Sequence, residues 1–215
     1  MKKGKFFVLV LLFALMMFVS NGTAYALTNG GFETGDTSGG AINDSDFANV
    51  VMSHEGDASP TPLTYSPTEG TYFLELWTGI GTNLPTKASQ SFTVTDGQWV
   101  TGWAAFDARD YYPFNDSAYV KVIDPTTTEV VWYQTVSTVG DDGDGPWQLW
   151  ESDPLTAGTY TLQFGVANKR DNSGDSYALF DGATVAPEPV SMLLVGIGLA
   201  GLPFVRRFRG FRKPA

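Results

Sequence analysis

The fold is decided by an alternating stretch late in the chain, Thr159-Tyr160-Thr161-Leu162-Gln163-Phe164-Gly165-Val166. Successive side chains of a β-strand point to opposite faces, so the apolar residues of this stretch share one face: Tyr160, Leu162, Phe164 and Val166. The segment Ser91-Phe92-Thr93-Val94-Thr95 repeats the pattern, with Phe92 and Val94 on its inner side. No window between residues 27 and 185 sustains a 3.6-residue period, so these patterns predict strands rather than helices.

Working outward from these two segments, nine strands are predicted between turn signals of Gly, Pro, Asn or Asp. They cover residues 47–52, 71–77, 88–95, 98–107, 117–124, 129–136, 147–151, 159–167 and 177–185. The pair Asp96-Gly97 predicts a type I′ hairpin, and Asp124-Pro125-Thr126 and Ala157-Gly158-Thr159 predict further turns. Trp99 and Trp103 share a face of one strand and are expected to pack inside, as is Trp132. The fold class is all-β, an antiparallel β-sandwich.

The first 26 residues have the three parts of a secretory signal peptide. Lysines precede an uncharged apolar run from residue 6 to residue 19, and the small-x-small site Ala24-Tyr25-Ala26 follows. The run is short for a membrane span, although a permanent N-terminal anchor is the alternative. The mature chain is expected to begin at Leu27.

The last 30 residues predict a second membrane segment. Residues 190–205 carry no charge, and an arginine cluster follows them: Arg206, Arg207 and Arg209. Sixteen residues span about 24 Å as a helix, and the positive-inside rule keeps the arginines cytoplasmic. Everything before Pro187 is therefore expected to lie outside the membrane.

The order Pro187-Glu188-Pro189, short apolar helix and arginine cluster resembles the PEP-CTERM sorting signal of Gram-negative bacteria. The resemblance covers residues 186–215 and implies recognition by an exosortase, with cleavage near Pro187, Glu188 and Pro189. It also implies a transient inner-membrane anchor and a secreted or cell-surface protein of an exopolysaccharide matrix. A plain C-terminal anchor is the alternative.

Composition excludes several kinds of chemistry. Residues 27–185 carry five basic and 22 acidic side chains, a net charge of about −17, which would repel a nucleic acid. The chain has no Cys and one His, so disulfides, thiolate zinc sites and multi-histidine metal sites are excluded. His54 lacks a Gly-x-Ser-x-Gly partner motif and is expected in a surface loop.

The opening Asn29-Gly30-Gly31-Phe32-Glu33 resembles the start of carbohydrate-binding-module jelly rolls with a galactose-binding-like fold. The turn at 67–76 and the segment 177–185 also fit this family. In such jelly rolls a structural Ca²⁺ joins the first turn to the last strand. The resemblance therefore implies a metal site with carboxylates and backbone oxygens from these residues: Glu33, Asp181, Gly31, Gly70 and Thr71. Loop capping by Glu33 is the alternative. The acidic segment 140–145 lacks the last ligand of an EF-hand and is expected to be a solvated hairpin tip.

Aromatic residues supply the remaining candidate site. The loop between two predicted strands combines aromatic rings, which stack on sugars, with side chains that bond hydroxyl groups: Asp110, Tyr111, Tyr112, Phe114, Asn115 and Asp116. Core packing is the alternative for its rings. We expect a non-enzymatic secreted matrix protein, with a glycan-binding module as the alternative. A glycoside hydrolase is less favoured, because the sequence identifies no environment that would raise the pKa of a carboxyl group and its acids are expected on the outside of the domain.

Overall fold

The computed structural model describes residues 27–43 and 45–187. Thirteen strands and one helical turn follow in chain order: β1 (Ala41–Ile42), β2 (Ala48–Val51), β3 (His54–Glu55), β4 (Thr64–Tyr65), β5 (Phe73–Trp77), β6 (Pro85–Val94), β7 (Trp99–Ala108), β8 (Ser117–Ile123), β9 (Thr128–Thr135), α1 (Val136–Val139), β10 (Gly143–Asp144), β11 (Gln148–Glu151), β12 (Gly158–Ala167) and β13 (Tyr177–Ala186). A 3₁₀ turn, Ser45–Phe47, precedes β2. All nine predicted strands are present, and the four short strands β1, β3, β4 and β10 were not predicted.

Two antiparallel sheets form a β-sandwich, as predicted. Sheet 1 has the order β1-β6-β12-β8-β9, and sheet 2 has the order β10-β7-β13-β5-β2, with β11 also paired to β7. Strands β3 and β4 form a separate two-stranded hairpin. Among the described residues, no helix has the length and apolar character needed to cross a membrane.

The main core lies between the two sheets. The rings of Phe164 on β12 and Phe180 on β13 stack across it with centroids 4.6 Å apart. Phe92 and Trp132 are buried in the same core, which confirms their predicted inward orientation. Alternation places these residues inside because one face of each sheet is covered by the other sheet.

A second, smaller core lies on the outer side of sheet 2, beneath the β3–β4 hairpin. Tyr65 of the hairpin packs there with Phe73 and Leu179. Trp147 joins them through an edge-to-face contact with Phe73, at 5.5 Å between centroids. The hairpin therefore covers part of a sheet face that alternation alone would leave to solvent.

Three local predictions are wrong. The turn at Asp96-Gly97 joins sheet 1 to sheet 2 rather than forming a hairpin, and only Gly97 has the positive φ (82°) that a type I′ turn needs twice. Trp99 and Trp103 lie on the outer face of β7, since its inner face carries Val100 and Phe106. The segment 140–145 is not a hairpin tip, because its residues 143–144 pair with β7.

Candidate functional site

The outer face of sheet 1 carries two tyrosines side by side. Tyr119 on β8 lies directly opposite Tyr133 on β9, and Gly165 of β12 is the neighbour of Tyr119 on its other side. A Cβ atom on Gly165 would lie 2.3 Å from Cζ of Tyr119. The missing side chain therefore leaves room for this ring at the β12 backbone. Tyr119 is 7% exposed and Tyr133 is 55% exposed.

Polar groups surround this tyrosine pair. The ammonium of Lys121 lies 4.0 Å from the centroid of the Tyr119 ring, a cation–π distance. The Tyr119 hydroxyl donates to Oε1 of Gln163 at 3.3 Å. Burial raises the pKa of Tyr119 to about 12, so its hydroxyl remains a neutral donor at physiological pH. Val130 extends the face and is 51% exposed.

We call the outward-pointing residues of the four long strands of sheet 1 the open face. Their side chains are mainly hydroxyl, amide, ammonium and aromatic groups: Lys87, Ser89, Ser91 and Thr93 on β6; Thr159, Thr161, Gln163 and Gly165 on β12; Tyr119, Lys121 and Ile123 on β8; Thr128, Val130 and Tyr133 on β9. An exposed ring beside hydrogen-bonding groups can stack on a sugar and bond its hydroxyls. Sequence reasoning missed this site, because its residues come from strands that only the register brings together.

The predicted glycan-binding loop presents its rings to solvent. Tyr111 and Tyr112 are 54% and 68% exposed. Phe114 packs edge-to-face against Tyr111, with centroids 5.4 Å apart. The loop therefore offers aromatic surface, as the sequence analysis expected.

The polar side chains of that loop form hydrogen bonds with other parts of the protein. Asn115 accepts hydrogen bonds from the backbone N–H and the hydroxyl of Ser137, at 2.8 and 2.9 Å. Asp116 is buried and accepts from the N–H of Lys169 and the hydroxyl of Ser176, at 2.7 and 2.9 Å. Burial raises the pKa of Asp116 to about 7. The Asn115 amide oxygen and the Asp116 carboxylate therefore hold loops of the protein together.

Asp110 is also buried, at 4% exposure, and one of its oxygens, Oδ2, has no hydrogen-bond partner among the described residues. Its other oxygen accepts from the N–H of Tyr111 at 2.8 Å. Burial raises the pKa of Asp110, and nearby Asp171 raises it further. The structure thus brings the six predicted glycan residues into one loop but exposes mainly Tyr111 and Tyr112.

Glu33 and Asp181 hold one turn from two sides. The Glu33 carboxylate accepts from the N–H of Thr71 at 2.9 Å and of Tyr72 at 3.1 Å. Asp181 accepts from the N–H and the hydroxyl of Thr68, at 2.6 and 2.7 Å. These bonds join the first loop and the last strand through the 68–72 turn, which is the connection that the resemblance assigned to calcium.

The predicted calcium ligands Glu33 and Asp181 are hydrogen-bonded to the protein in this structure. The Glu33 and Asp181 oxygens bond amide N–H groups, whereas a calcium ion needs six to eight oxygen ligands around one point. Gly70 has φ +62°, and a Cβ there would lie 2.2 Å from Cδ of Glu33, while Gly31 lies beside the Glu69 carboxylate. The described residues hold no group of three or more His, Cys, Asp or Glu side chains placed for a metal ion. Calcium binding stays a prediction.

His54 does not lie in a surface loop as expected but is buried in β3. Its Nδ1 lies 2.6 Å from Glu75 and its Nε2 lies 2.8 Å from Asp107. Arg109 bonds the same Asp107 oxygen at 2.8 Å and lies over the Tyr177 ring at 4.5 Å. Both ring nitrogens of His54 face carboxylates, so the residue anchors the hairpin to sheet 2. No local sequence signal could have shown this, because its partners are 21 and 53 residues away.

The sorting residues are largely outside the described part of the chain. Pro187 is the last described residue and directly follows β13. The predicted cleavage and membrane residues lie outside the described ranges: Ala24, Ala26, Glu188, Pro189, Arg206, Arg207 and Arg209. The signal peptide, the sorting signal and the C-terminal helix stay predictions.

No family model and no curated protein matches this chain. Among solved structures, TmCBM61 in complex with β-1,4-galactotriose is 19% identical, with a TM-score of 0.47 over 75% of this chain and 97% of that one. The K3 adhesin domain of Lys-gingipain from Porphyromonas gingivalis is 15% identical, with a TM-score of 0.45 over 75% and 98%. A family 16 carbohydrate binding module is 12% identical, with a TM-score of 0.39 over 75% and 99%. Likeness at this level does not say what this chain binds.

Proposed function

We propose that residues 27–187 form a non-enzymatic carbohydrate-binding domain whose ligand lies on the open face of sheet 1. The observation that carries the proposal is the tyrosine pair on β8 and the edge strand β9. Tyr133 offers an exposed ring, while Lys121 and Gln163, which both contact the neighbouring Tyr119, offer a donor and an amide. Sugars present apolar C–H faces and hydroxyl edges, which match rings and polar groups placed side by side.

The chemistry of the open face supports binding rather than hydrolysis. Glycoside hydrolysis needs two carboxyl groups on either side of the scissile bond. The outward positions of β6, β12, β8 and β9 that define the open face contain neither Asp nor Glu. One close pair of carboxylates, Glu75 and Asp107, lies at the other sheet and is bonded to His54.

The predicted signals at the two termini indicate where in the cell envelope this domain would bind its ligand. Secretion and exosortase sorting would deliver the domain to the cell surface or to an exopolysaccharide matrix, where a polysaccharide is the natural ligand. A non-catalytic module there would attach the protein to the matrix. This localisation rests on the sequence patterns at residues 1–26 and 186–215.

Affinity electrophoresis of the mature exported protein tests the proposal, with glycans of the host matrix cast into the gel. Retardation of the wild type and its loss in Tyr133→Ala are expected. A stacking contact of about 1 kcal/mol corresponds to a Kd increase of about fivefold. Tyr111→Ala is a matched control, because the two tyrosines are almost equally exposed, at 54% and 55%.

The control also separates the two aromatic surfaces. If Tyr111→Ala with Tyr112→Ala abolishes retardation and Tyr133→Ala does not, the glycan binds at the loop and the open face is the wrong site. If no glycan retards the wild type, the function itself is wrong.

A further inference from the structure

The basic residues of this domain are distributed unevenly. Only five side chains among residues 27–187 are Lys or Arg, against 22 that are Asp or Glu. Two of the five, Lys87 on β6 and Lys121 on β8, point outward from sheet 1. No Asp or Glu accompanies them on the open face. The most acidic part of the chain therefore contains one strand surface whose only charges are positive.

The two lysines lack an anionic partner within the described residues. The ion pairs there join His54 to Glu75 and Asp107, and Arg109 to Asp107. Lys121 instead rests its ammonium on the Tyr119 ring, at 4.0 Å from the centroid. In a domain with about four acids for each base, two lysines on one open face that form no ion pair with a described residue offer positive charge to a ligand.

The register places these charges next to the stacking ring. Lys87, Gly165, Tyr119 and Tyr133 form one row across four neighbouring strands. With about 4.8 Å between strands, Lys87 and Tyr133 lie about 14 Å apart along this row. Lys121 lies two residues further along β8 from Tyr119, on the same face. A chain crossing the row would meet a positive charge, the floor formed by Gly165 and Tyr119, and an exposed ring.

We infer, on the basis of the proposed function, that the ligand is an anionic polysaccharide. Its carboxylate or sulfate groups bind Lys87 and Lys121, and one of its sugar rings stacks on Tyr133. The ammonium of Lys121 is held over Tyr119, so less side-chain freedom is lost when it binds an anion.

The negative charge of the whole domain does not prevent this binding. At physiological ionic strength charges are screened beyond about 8 Å, so a ligand on the open face responds mainly to the groups of that face. Nucleic acid differs, because duplex DNA carries one charge per about 1.7 Å and would bring many phosphates close to the acidic surroundings.

Paired probes test the inference on the mature exported protein. Affinity gels contain polygalacturonate or its methyl ester, and dextran sulfate or dextran, so that each pair differs in charge on one backbone. We expect retardation by a charged member and little by its neutral partner. Lys121→Gln and Lys87→Gln should each raise the Kd by about fivefold, the upper range for an exposed ion pair. Lys169→Gln is the matched control and should have no effect, because Lys169 is exposed in the loop between β12 and β13.

The outcomes separate the inference from the proposed function. Equal retardation by neutral and charged partners, or unchanged binding in both lysine variants, overturns the anionic ligand and leaves carbohydrate binding in place. Equal retardation by single-stranded DNA also overturns it, since the face would then bind any polyanion. Absence of retardation by both charged probes overturns the inference, and binding of neutral matrix glycans that Tyr133→Ala abolishes would still support the proposed function.

Discussion

Deprotonation of His54 is expected to destabilise the domain at alkaline pH. Burial alone would lower the pKa of His54, but its hydrogen bonds to Asp107 and Glu75 outweigh burial and raise the pKa from 6.5 to about 9. The imidazole is therefore charged at neutral pH. It lies between two carboxylates, one of which, Asp107, is completely buried.

The magnitude follows from the shift in pKa. One pKa unit corresponds to 1.36 kcal/mol, so the shift of His54 contributes about 3 kcal/mol to the free energy of unfolding. Because the pKa is higher in the folded state, this contribution is fully present below pH 6.5 and is lost as the pH rises through 9. Tyr65 and Tyr177 contact the His54 ring, but their pKa values are raised above 10 and they titrate at higher pH.

Urea unfolding of the wild type and of His54→Gln between pH 6 and pH 9.5 measures this contribution. Between pH 6 and pH 9.5 the wild-type free energy of unfolding should fall by about 3 kcal/mol more than that of His54→Gln, because Asp116, whose pKa is about 7, titrates in both proteins. The variant should be less stable by about 3–5 kcal/mol at pH 6, because a buried ion pair has lost one partner, and its stability should vary less with pH. A wild-type stability that is flat from pH 6.5 to pH 9.5, or an equal slope in the variant, would refute the reasoning.

Three further predictions concern other groups. Asp116→Asn should raise the free energy of unfolding at pH 8 by as much as about 4 kcal/mol and leave it unchanged near pH 3.5 in urea unfolding, because the buried carboxyl has a pKa of about 7 instead of 3.8 and its ionisation costs stability. Calcium at Glu33 and Asp181 predicts that a chelator lowers the Tm of the wild type but not of Glu33→Gln; equal Tm values with and without chelator would show that the amide bonds alone hold the turn. Exosortase sorting predicts by mass spectrometry a mature protein that begins at Leu27 and lacks the tail after about Pro187, and an exported protein with intact Arg206, Arg207 and Arg209 would contradict it.

The strands were predictable because their signal is local. Alternation within residues 159–166 identifies β12 and its buried face without knowledge of its neighbours, and the same holds for Phe92 on β6. The predicted inward orientation of Trp99 and Trp103 was wrong for a related reason. Alternation tells which residues share a face, but the inward direction on β7 depends on where the second sheet lies.

Both sites that the sequence missed are assembled over long distances. The open face joins residues of β6, β12, β8 and β9, and a one-residue change in register would move its side chains to the other face. The His54 cluster joins β3 to β5 and β7. In the loop 110–116, the aromatic residues could be recognised from the sequence. The hydrogen-bond donors to the buried Asp116, however, are 53 and 60 residues away in the chain.

The two outer faces of the sandwich differ in what covers them, and this difference supports the proposed location of the ligand on sheet 1. On sheet 2, the β3–β4 hairpin packs over Phe73 and Leu179, and His54 bonds it to the sheet. The buried contacts on this face therefore stabilise the folded domain. On sheet 1, Tyr133 and Val130 remain exposed. Exposed apolar and basic groups contribute little to folding in water, whereas a bound glycan would bury them. Mutation can therefore separate the two surfaces. His54→Gln should lower the free energy of unfolding without changing glycan affinity at pH 6. Tyr133→Ala should lower glycan affinity without changing the free energy of unfolding.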